Sequence, residues 1–368
     1  MALTADSNYM KMALDLALKG RGKTAPNPMV GAVIVKKGRI VGRGYHRAIG
    51  KEHAEVMALK QAGSQARGAT LFVNLEPCCH IGRTGPCTEA IKEARIKRVV
   101  FSIKDPNPVV NGKGMRSLRK AGIEVEAGLL RHEARLLNDA YIGYHENKRP
   151  FVIVKIAQSL DGRIATSLGD SKWITSPASR RYAHQLRAQV DAVVVGSNTV
   201  KIDDPMLTVR HIKGQDPYRI VLSSTMGLPS GARLFKDNGD YRTIIATTER
   251  AVKQGSVHKG NPGAILWAVK SRRQHEIDLG DFIDKAYNFG LQSLLVEGGS
   301  SLVTSFLREG LVDKLVVITA PLIVGRGMES VGQLDIRSLT QALRFDQSFT
   351  FASGPDTVFV GYPKKERA

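Results

Sequence analysis

The chain has 368 residues, more than one hydrophobic core usually supports, so two domains are expected. Three cysteines exclude a disulfide framework and indicate a reducing compartment. Charged residues inside the apolar pattern of residues 1–19 exclude a signal peptide, and the most apolar stretch, 315–324, is too short to span a bilayer. A cytoplasmic protein without membrane contact is therefore expected.

The formal net charge of +20 predicts an anionic partner. Nucleic acid is one candidate, but the chain has no dense run of Lys and Arg, and aromatic residues make up only 6%. The charge therefore favours a phosphorylated small molecule over nucleic acid.

In residues 1–147, helix and strand signals follow one another along the chain. Apolar spacing and turn residues predict helices at 7–19, with Ser7 as N-cap, 52–62, 88–94, 113–121 and 131–144, and strands at 30–35, 39–45, 69–74 and 98–103. The polar run 145–150 breaks this pattern and predicts a linker.

A second alternating pattern fills residues 148–368. Strands are predicted at 151–155, 192–195, 219–222, 243–246, 264–268, 293–296 and 314–319, and helices at 176–189, 281–289 and 300–309. Strands that alternate with helices indicate α/β domains with largely parallel sheets covered on both sides.

A metal site is predicted by His53-Ala54-Glu55 followed by Pro77-Cys78-Cys79-His80 and then Cys87. A catalytic zinc takes three protein ligands and keeps a fourth position for water, whose pKa it lowers to about 7. A free carboxylate nearby can then carry protons to the leaving group. This order of residues is typical of the zinc nucleobase deaminases.

Spacing narrows the choice of ligands. Cys78 and Cys79 are adjacent, so their side chains point in different directions, and one of them pairs with Cys87. Cys87 follows a proline and precedes a helix signal, a position that favours a thiolate. His53 and Glu55 lie two residues apart on the predicted helix and cannot share one face, so one binds metal and the other reaches around from the helix start. Alternatively, the three cysteines are small buried hydrophobes without a metal.

Together, these residues resemble the bifunctional riboflavin-biosynthesis deaminase/reductase family over nearly the whole chain. In the first half the resemblance is carried by Asn27-Pro28-x-Val30-Gly31, Gly44-Tyr45-His46, His53-Ala54-Glu55-Val56, the element from Glu76 to Cys87, and Asp105-Pro106-Asn107-Pro108. In the second half it is carried by Ser159-Leu160-Asp161-Gly162-Arg163, Trp173-Ile174-Thr175, Leu186-Arg187-Ala188, the run Asp203-Asp204-Pro205-x-Leu207-Thr208-Val209-Arg210, and Val296-Glu297-Gly298-Gly299.

The resemblance implies an α/β chain with an N-terminal cytidine-deaminase-like three-layer domain, residues 1–147, and a C-terminal dihydrofolate-reductase-like domain, residues 148–368. The first would deaminate 2,5-diamino-6-ribosylamino-4(3H)-pyrimidinone 5′-phosphate. The second would reduce the ribosyl group to ribityl with NADPH, giving 5-amino-6-ribitylamino-uracil 5′-phosphate.

Carried over by position, the resemblance also assigns the deaminase residues. The resemblance makes His53, Cys78 and Cys87 the zinc ligands and Glu55 the proton shuttle. It gives Cys79 no role. The substrate contacts are Asn27, His46, Arg83 and Thr84. An Asn can pair with a pyrimidine edge through both its donor and its acceptor, and an Arg fork suits phosphate.

The reductase half carries fewer signals of its own. The pair Gly298-Gly299 follows an apolar strand and precedes a helix start, where backbone N–H groups suit a phosphate, although a tight turn would look the same. No GxGxxG fingerprint is present, so a Rossmann site is not supported. Lys155 and Glu297 are candidates for polarising the carbonyl or organising the proton.

The resemblance also assigns the residues of the reductase domain that contact cofactor and substrate. NADPH would lie against Ala157, Trp173, Thr199, Asp203, Ser224 and the segment Gly299, Ser300, Ser301, Leu302, Val303, Thr304 and Ser305. The substrate would contact Ser171, Arg187, Leu207, Arg210 and Glu297. Ser223 stands where the family usually has Asp, so this chain lacks that carboxylate as a cofactor contact.

Two other functions compete with this interpretation. A tRNA-type nucleobase deaminase with an accessory domain shares the zinc motif and suits the charge, but leaves the second α/β pattern unexplained. A structural zinc module that binds nucleic acid would close its site with a fourth ligand, Cys79 or His80, and gives Glu55 no role. A homo-oligomer, either a dimer or a tetramer, is expected.

Overall fold

The computed structural model describes residues 4–80, 85–225, 227–236, 242–253, 263–272 and 276–364. The chain divides into two compact units, Met1–Lys148 and Arg149–Ala368, one residue beyond the boundary expected from the sequence. Of the helices in the described ranges, none combines the length and the apolar character that crossing a bilayer requires.

Unit 1 alternates strands and helices as the sequence predicts. Its elements are α1 (Ala5–Ala17), β1 (Gly31–Lys36), β2 (Arg39–Tyr45), α2 (Ala54–Ala62), β3 (Thr70–Leu75), α3 (Cys87–Glu93), β4 (Arg98–Ile103), α4 (Lys113–Lys120), β5 (Glu124–Ala127), α5 (Arg131–Leu137) and α6 (Asp139–Asn147).

The strands of unit 1 described here form one sheet in the order β2-β1-β3-β4-β5. Side chains alternate across β3: Leu71 and Val73 pack with Ala58 of α2, whereas Phe72 packs on the opposite face with Met10 and Ala13 of α1. Both faces of the sheet are therefore covered, which gives three layers.

Three sequence predictions for unit 1 were wrong. The sheet is mixed instead of largely parallel: besides the hairpin β1–β2, which the turn signal Lys36-Lys37-Gly38 predicts, β1 also runs antiparallel to β3, and the parallel pairs in the described residues are β3–β4 and β4–β5. The N-cap of α1 is Thr4, whose Oγ1 accepts from the Ser7 N–H. The helix predicted over 131–144 is interrupted at Asn138, which separates α5 from α6.

Unit 2 contains the remaining elements. They are β6 (Phe151–Ser159), β7 (Arg163–Thr166), α7 (Pro177–Arg187), β8 (Ala192–Gly196), α8 (Ser197–Asp203), β9 (Tyr218–Leu222), α9 (Arg233–Lys236), β10 (Thr243–Thr248), α10 (Glu249–Lys253), β11 (Ile265–Val269), α11 (Leu279–Asn288), β12 (Ser293–Val296), α12 (Ser300–Arg308), β13 (Lys314–Ala320), β14 (Gly327–Glu329), β15 (Phe345–Ser353) and β16 (Asp356–Pro363).

Within the described residues, the main sheet of unit 2 has the order β11-β10-β9-β8-β12-β6-β13-β16-β15. The strands from β11 to β13 are parallel, as predicted, and the hairpin β15–β16, which the sequence reading missed, adds an antiparallel edge. Strands β6 and β12 are neighbours, with Val154 opposite Val296. This register brings the residues that follow, Lys155 and Glu297, to the same end of the sheet.

Candidate active sites

In unit 1 the start of α2 separates His53 from Glu55. The helix begins at Ala54, so His53 has extended backbone (φ −72°, ψ 159°) and Glu55 lies in the first turn. His53 therefore reaches the site from before the helix.

Two glycines of β2 allow α2 to pack close to the sheet. A Cβ on Gly42 would lie 2.2 Å from the carbonyl oxygen of Ala58, and a Cβ on Gly44 would lie 2.2 Å from that of Ala54. Both contacts are shorter than any side chain tolerates. The start of α2, with His53 and Glu55, is thus positioned against β2 by the absence of two side chains.

Cys78 and Cys87 lie beside His53. The His53 Nδ1 is 3.2 Å from the Cys87 Sγ and 3.5 Å from the Cys78 Sγ, and the backbone N–H of Cys87 donates to the Cys78 Sγ at 3.4 Å. Cys87 is the first residue of α3 and follows Pro86, as the sequence predicts. Adjacent Cys79 is outside this cluster.

The three side chains fit a zinc ion. Their ligand atoms all lie within 4.8 Å of one another. Bonds of about 2.1 Å to nitrogen and about 2.3 Å to sulfur would place those atoms roughly 3.6 Å apart in a tetrahedral site, close to the separations found here. A hydrogen bond from Cys87 lowers the pKa of the Cys78 thiol to about 4, which favours the thiolate that binds metal.

The Glu55 carboxyl lies against this cluster and is buried, at 3% exposure. Burial, followed by the proximity of Cys78, raises its pKa to about 7, and its side chain hydrogen-bonds with the Cys87 thiol. Among the described residues the metal-ligand cluster does not include Glu55. A carboxyl placed beside the ligands but outside the cluster is suited to proton transfer.

Asn27 and His46 flank the cluster. The Asn27 Nδ2 lies 3.2 Å from the His46 Nε2, and the His46 Nδ1 lies 3.1 Å from the carbonyl oxygen of Glu52. A carbonyl only accepts, so Nδ1 carries the proton and Nε2 accepts from the Asn27 amide. Burial lowers the pKa of His46, which keeps the ring neutral. The other predicted contacts, Arg83 and Thr84, lie outside the described residues.

A buried carboxylate that sequence reasoning did not single out holds the segment before Cys78. Glu76 accepts backbone N–H groups from Asp105, Gly112 and Met115 at 3.3, 2.9 and 2.9 Å. A Cβ on Gly114 would lie 2.1 Å from the carbonyl oxygen of Pro77. Its sequence signals were its place directly after an apolar strand and at the start of the element Glu76 to Cys87 that carries the family resemblance, which assigns it no role.

In unit 2 a cleft of about 1130 Å³ opens at the ends of the parallel strands. Among the residues that line it are most of those expected to contact cofactor: Ala157, Thr199, Asp203, Ser224, Gly299, Ser300, Ser301, Leu302, Val303 and Ser305. Lys155, Ser171 and Glu297 also line it. Most of the predicted cofactor residues and both predicted reductase catalytic residues are therefore brought together in one cleft.

The start of α12 forms part of this cleft. Gly299 is its N-cap, and the first intrahelical bonds are donated to the Gly299 carbonyl oxygen by Leu302 and Val303. The preceding N–H groups, those of Ser300 and Ser301, have no partner within the helix. A Cβ on Gly298 would meet the Leu302 side chain at 2.7 Å. The geometry suits a phosphate group at this helix end.

Glu297 is the centre of a buried ion-pair network. Its carboxylate accepts from the Nε and Nη2 of Arg187 at 3.0 and 2.7 Å, and its Oε2 lies 3.7 Å from the Lys155 Nζ. Burial raises the pKa of Glu297, but Arg187 and Lys155 outweigh it and lower the pKa to about 2. The carboxylate is ionised at neutral pH.

Five predicted residues are not among those lining the cleft: Trp173, Thr304, Arg187, Leu207 and Arg210. Leu207 is buried at 2% exposure, and the Thr304 hydroxyl donates to the carbonyl oxygen of Ser300. Trp173 is exposed and stacks under the Arg180 guanidinium at 4.5 Å.

Comparison with known proteins identifies the family. Residues 3–103 match the cytidine and deoxycytidylate deaminase zinc-binding region, and residues 150–359 match the RibD C-terminal domain. The riboflavin biosynthesis protein RibD of Aquifex aeolicus is 47% identical over 96% of this chain and 97% of its own length. The chain belongs to the RibD family.

Further RibD proteins support this membership. The Escherichia coli RibD is 39% identical over 95% of this chain and 97% of its own. A solved structure of Acinetobacter baumannii RibD superposes with a TM-score of 0.86 at 36% identity and covers 98% of this chain and 99% of its own. A Thermotoga maritima deaminase/reductase structure gives 0.83 at 35% identity, with coverage of 98% and 99%.

As a RibD, the chain is a bifunctional deaminase/reductase of riboflavin biosynthesis, with a zinc-binding deaminase domain and an NADPH-dependent reductase domain. The predicted fold class and the expected zinc and NADPH are thereby confirmed. The tRNA-type deaminase is not favoured, because the RibD C-terminal domain accounts for residues 150–359. The alternative of a structural zinc module that binds nucleic acid was wrong, because the chain is a deaminase/reductase.

Proposed function

We propose that residues 1–147 deaminate 2,5-diamino-6-ribosylamino-4(3H)-pyrimidinone 5′-phosphate and that residues 148–368 reduce the ribosyl group of the product to ribityl. The observation that carries the first half is the cluster of His53, Cys78 and Cys87 beside the buried Glu55. The solved Thermotoga maritima relative is described as a deaminase of a phosphoribosylaminopyrimidine and a reductase of a phosphoribosylamino-uracil, which supports this substrate.

In the deaminase step His53, Cys78 and Cys87 would hold zinc, which when bound would supply an activated water for attack on the ring carbon that carries the amine. Glu55 carries one proton of that water to the departing amine, which leaves as ammonia, and the second proton of the water passes to the adjacent ring nitrogen as the carbonyl forms. Asn27 contacts the pyrimidine edge. One N–H of its Nδ2 donates to His46, so the second N–H and the Oδ1 acceptor are available to the substrate.

In the reductase step NADPH, when bound, supplies the hydride. Lys155 is the cationic donor next to the reacting carbonyl, and Glu297 holds it there through the contact of 3.7 Å. The start of α12 binds a phosphate of the cofactor. The Nε and Nη2 of Arg187 bind Glu297 and its Nη1 binds the carbonyl oxygen of Thr208, so Arg187 orients the carboxylate. Arg210, which is exposed, is the better candidate for the substrate phosphate.

Mass analysis of the products tests both halves. With the diaminopyrimidinone ribotide alone, we expect one amine-to-carbonyl exchange; when NADPH is added, we expect a further gain of two hydrogens. A two-hydrogen gain without NADPH, or no exchange at all, would contradict the assignment.

We also infer that the chain is a cytoplasmic homo-oligomer, dimer or tetramer, that acts on a phosphorylated small molecule without nucleic acid. Strand β15 supports the oligomer: in the described part of the chain it pairs only with β16, and it exposes Phe349 and Phe351. The unpaired backbone groups of such an edge strand can pair with another chain. Light scattering of the purified chain should give a mass of at least two chains; a monomer would contradict it.

A further inference from the structure

The segment that carries Asn27 is stiff. Pro26 and Pro28 flank Asn27, and the N–H of Asn27 donates to the carbonyl oxygen of Thr24 at 2.8 Å. Proline fixes its own φ and restricts the residue before it to extended conformations. Few backbone torsions between Met29 and Asn27 are therefore free to change. A displacement of the backbone at Met29 should displace Asn27 as well.

Two buried amides hold the backbone at this point. Asn138 accepts from the Met29 N–H at 2.8 Å and donates to the Met29 carbonyl oxygen at 2.9 Å. Asn74 donates to the same oxygen at 2.9 Å and accepts from the Gly31 N–H at 2.8 Å. Asn74 is fully buried and Asn138 is 4% exposed.

Asn138 reaches Met29 from a break between two helices. Its backbone N–H donates to the Ala134 carbonyl oxygen, and its carbonyl oxygen accepts from the Ile142 N–H. The backbone of Asn138 is thus satisfied by α5 and α6, while its side chain pairs with a segment 109 residues earlier. Neither helix carries any residue that the sequence assigned to the site.

We propose that Asn138 is a positioning residue of the deaminase, which acts by fixing Met29 and, through Pro28, the Asn27 amide against the substrate ring. This inference rests on the proposed role of Asn27 in the deaminase. It also gives α5 and α6 a function, since their junction supplies the amide.

The test is a double-mutant cycle between Asn138→Ala and Asn27→Ala in the full chain, measured by deaminase kinetics. Asn138→Ala should raise the deaminase KM about tenfold with kcat changed less than about threefold, since a ground-state contact is weakened. In the Asn27→Ala background the same change should have less than about a twofold effect, because the residue through which it acts is gone.

Three controls separate positioning from general damage. Zinc content should be unchanged, and so should reductase kinetics with the deaminated intermediate as substrate. Glu146→Ala removes the exposed Arg135–Glu146 pair, which also links α5 to α6, without touching Met29, and should leave the deaminase KM unchanged. If Asn138→Ala does not fold, Asn138→Asp replaces it, because the carboxylate keeps the acceptor for the Met29 N–H and loses the donor.

The outcomes distinguish failure of the Asn27 substrate contact from failure of the Asn138 positioning role. If Asn27→Ala alone leaves the deaminase KM and kcat unchanged, the proposed substrate contact fails. If Asn27→Ala impairs deamination but the Asn138 effect is absent, or is equally large in both backgrounds, the positioning role of Asn138 is overturned. A tenfold KM effect that disappears in the Asn27→Ala background supports it.

Discussion

The Glu297 carboxylate is bound side-on by the Arg187 guanidinium, whose Nε and Nη2 donate two hydrogen bonds of 3.0 and 2.7 Å. Both side chains are largely buried, at 6% and 13% exposure. Arg187 is the last residue of α7 and Glu297 follows β12, so the pair joins these two elements beside the reductase cleft, which Glu297 lines. A substrate phosphate that recruited Arg187 would have to compete with this pair.

Removal of Glu297 should destabilise the reductase unit strongly. Glu297→Ala leaves the Arg187 and Lys155 charges buried without their carboxylate, and loss of one partner of a buried pair costs about 3–5 kcal/mol. Denaturant unfolding of the full chain measures this. The matched control is Glu329→Ala, which removes a more exposed pair with Arg163 and should cost less than about 1 kcal/mol. Equal losses in the two variants would contradict the prediction.

The same pair predicts a pH dependence. The pKa of Glu297 falls from 4.5 to about 2 in the folded chain, so its stabilising contribution is complete above about pH 4.5 and is lost as the pH falls toward about 2. The shift corresponds to about 3 kcal/mol. The stability difference between the wild type and Glu297→Gln should therefore shrink between about pH 5 and about pH 3. A difference that stays constant with pH would show that Glu297 is not preferentially ionised in the folded state.

The adjacent cysteines should respond oppositely to the same substitution. Cys78 lies 3.5 Å from the His53 Nδ1, whereas Cys79 is outside the ligand cluster. Cys78→Ser should lose zinc and deaminase activity, and Cys79→Ser should retain both. Elemental analysis and deaminase rates measure the outcome. Zinc loss in Cys79→Ser with retention in Cys78→Ser would reverse the ligand assignment.

Gly44 should be intolerant of a side chain. In Gly44→Ala the new Cβ would be 2.2 Å from the Ala54 carbonyl oxygen, so β2 and the start of α2 must separate. We expect a loss of about 1–3 kcal/mol in stability and weaker zinc binding, since His53 precedes that helix. Gly85→Ala, where no atom of the described residues lies within 4 Å of the new Cβ, is the control and should leave zinc affinity unchanged. Equal zinc affinity in Gly44→Ala and Gly85→Ala would contradict the role of Gly44 in positioning His53.

The chemistry of the zinc site could be predicted from the sequence because its residues lie in short segments of recognisable order. The parallel strands of unit 2 could also be predicted, since each buried strand is a short apolar run. The pairing of Glu297 with Arg187 and that of Met29 with Asn138 could not, because the paired residues lie 110 and 109 residues apart and carry no local signal. The antiparallel pairing of β1 with β3 was likewise set by tertiary packing.

The central claim is that Glu55 moves protons beside a zinc held by His53, Cys78 and Cys87. The direct measurement is the deaminase rate of Glu55→Gln, with zinc content and reductase rate determined on the same sample. We predict a fall of about 10²–10⁴-fold or more in deamination, with zinc and reduction of the deaminated intermediate unchanged. Wild-type deamination by this variant would contradict the account.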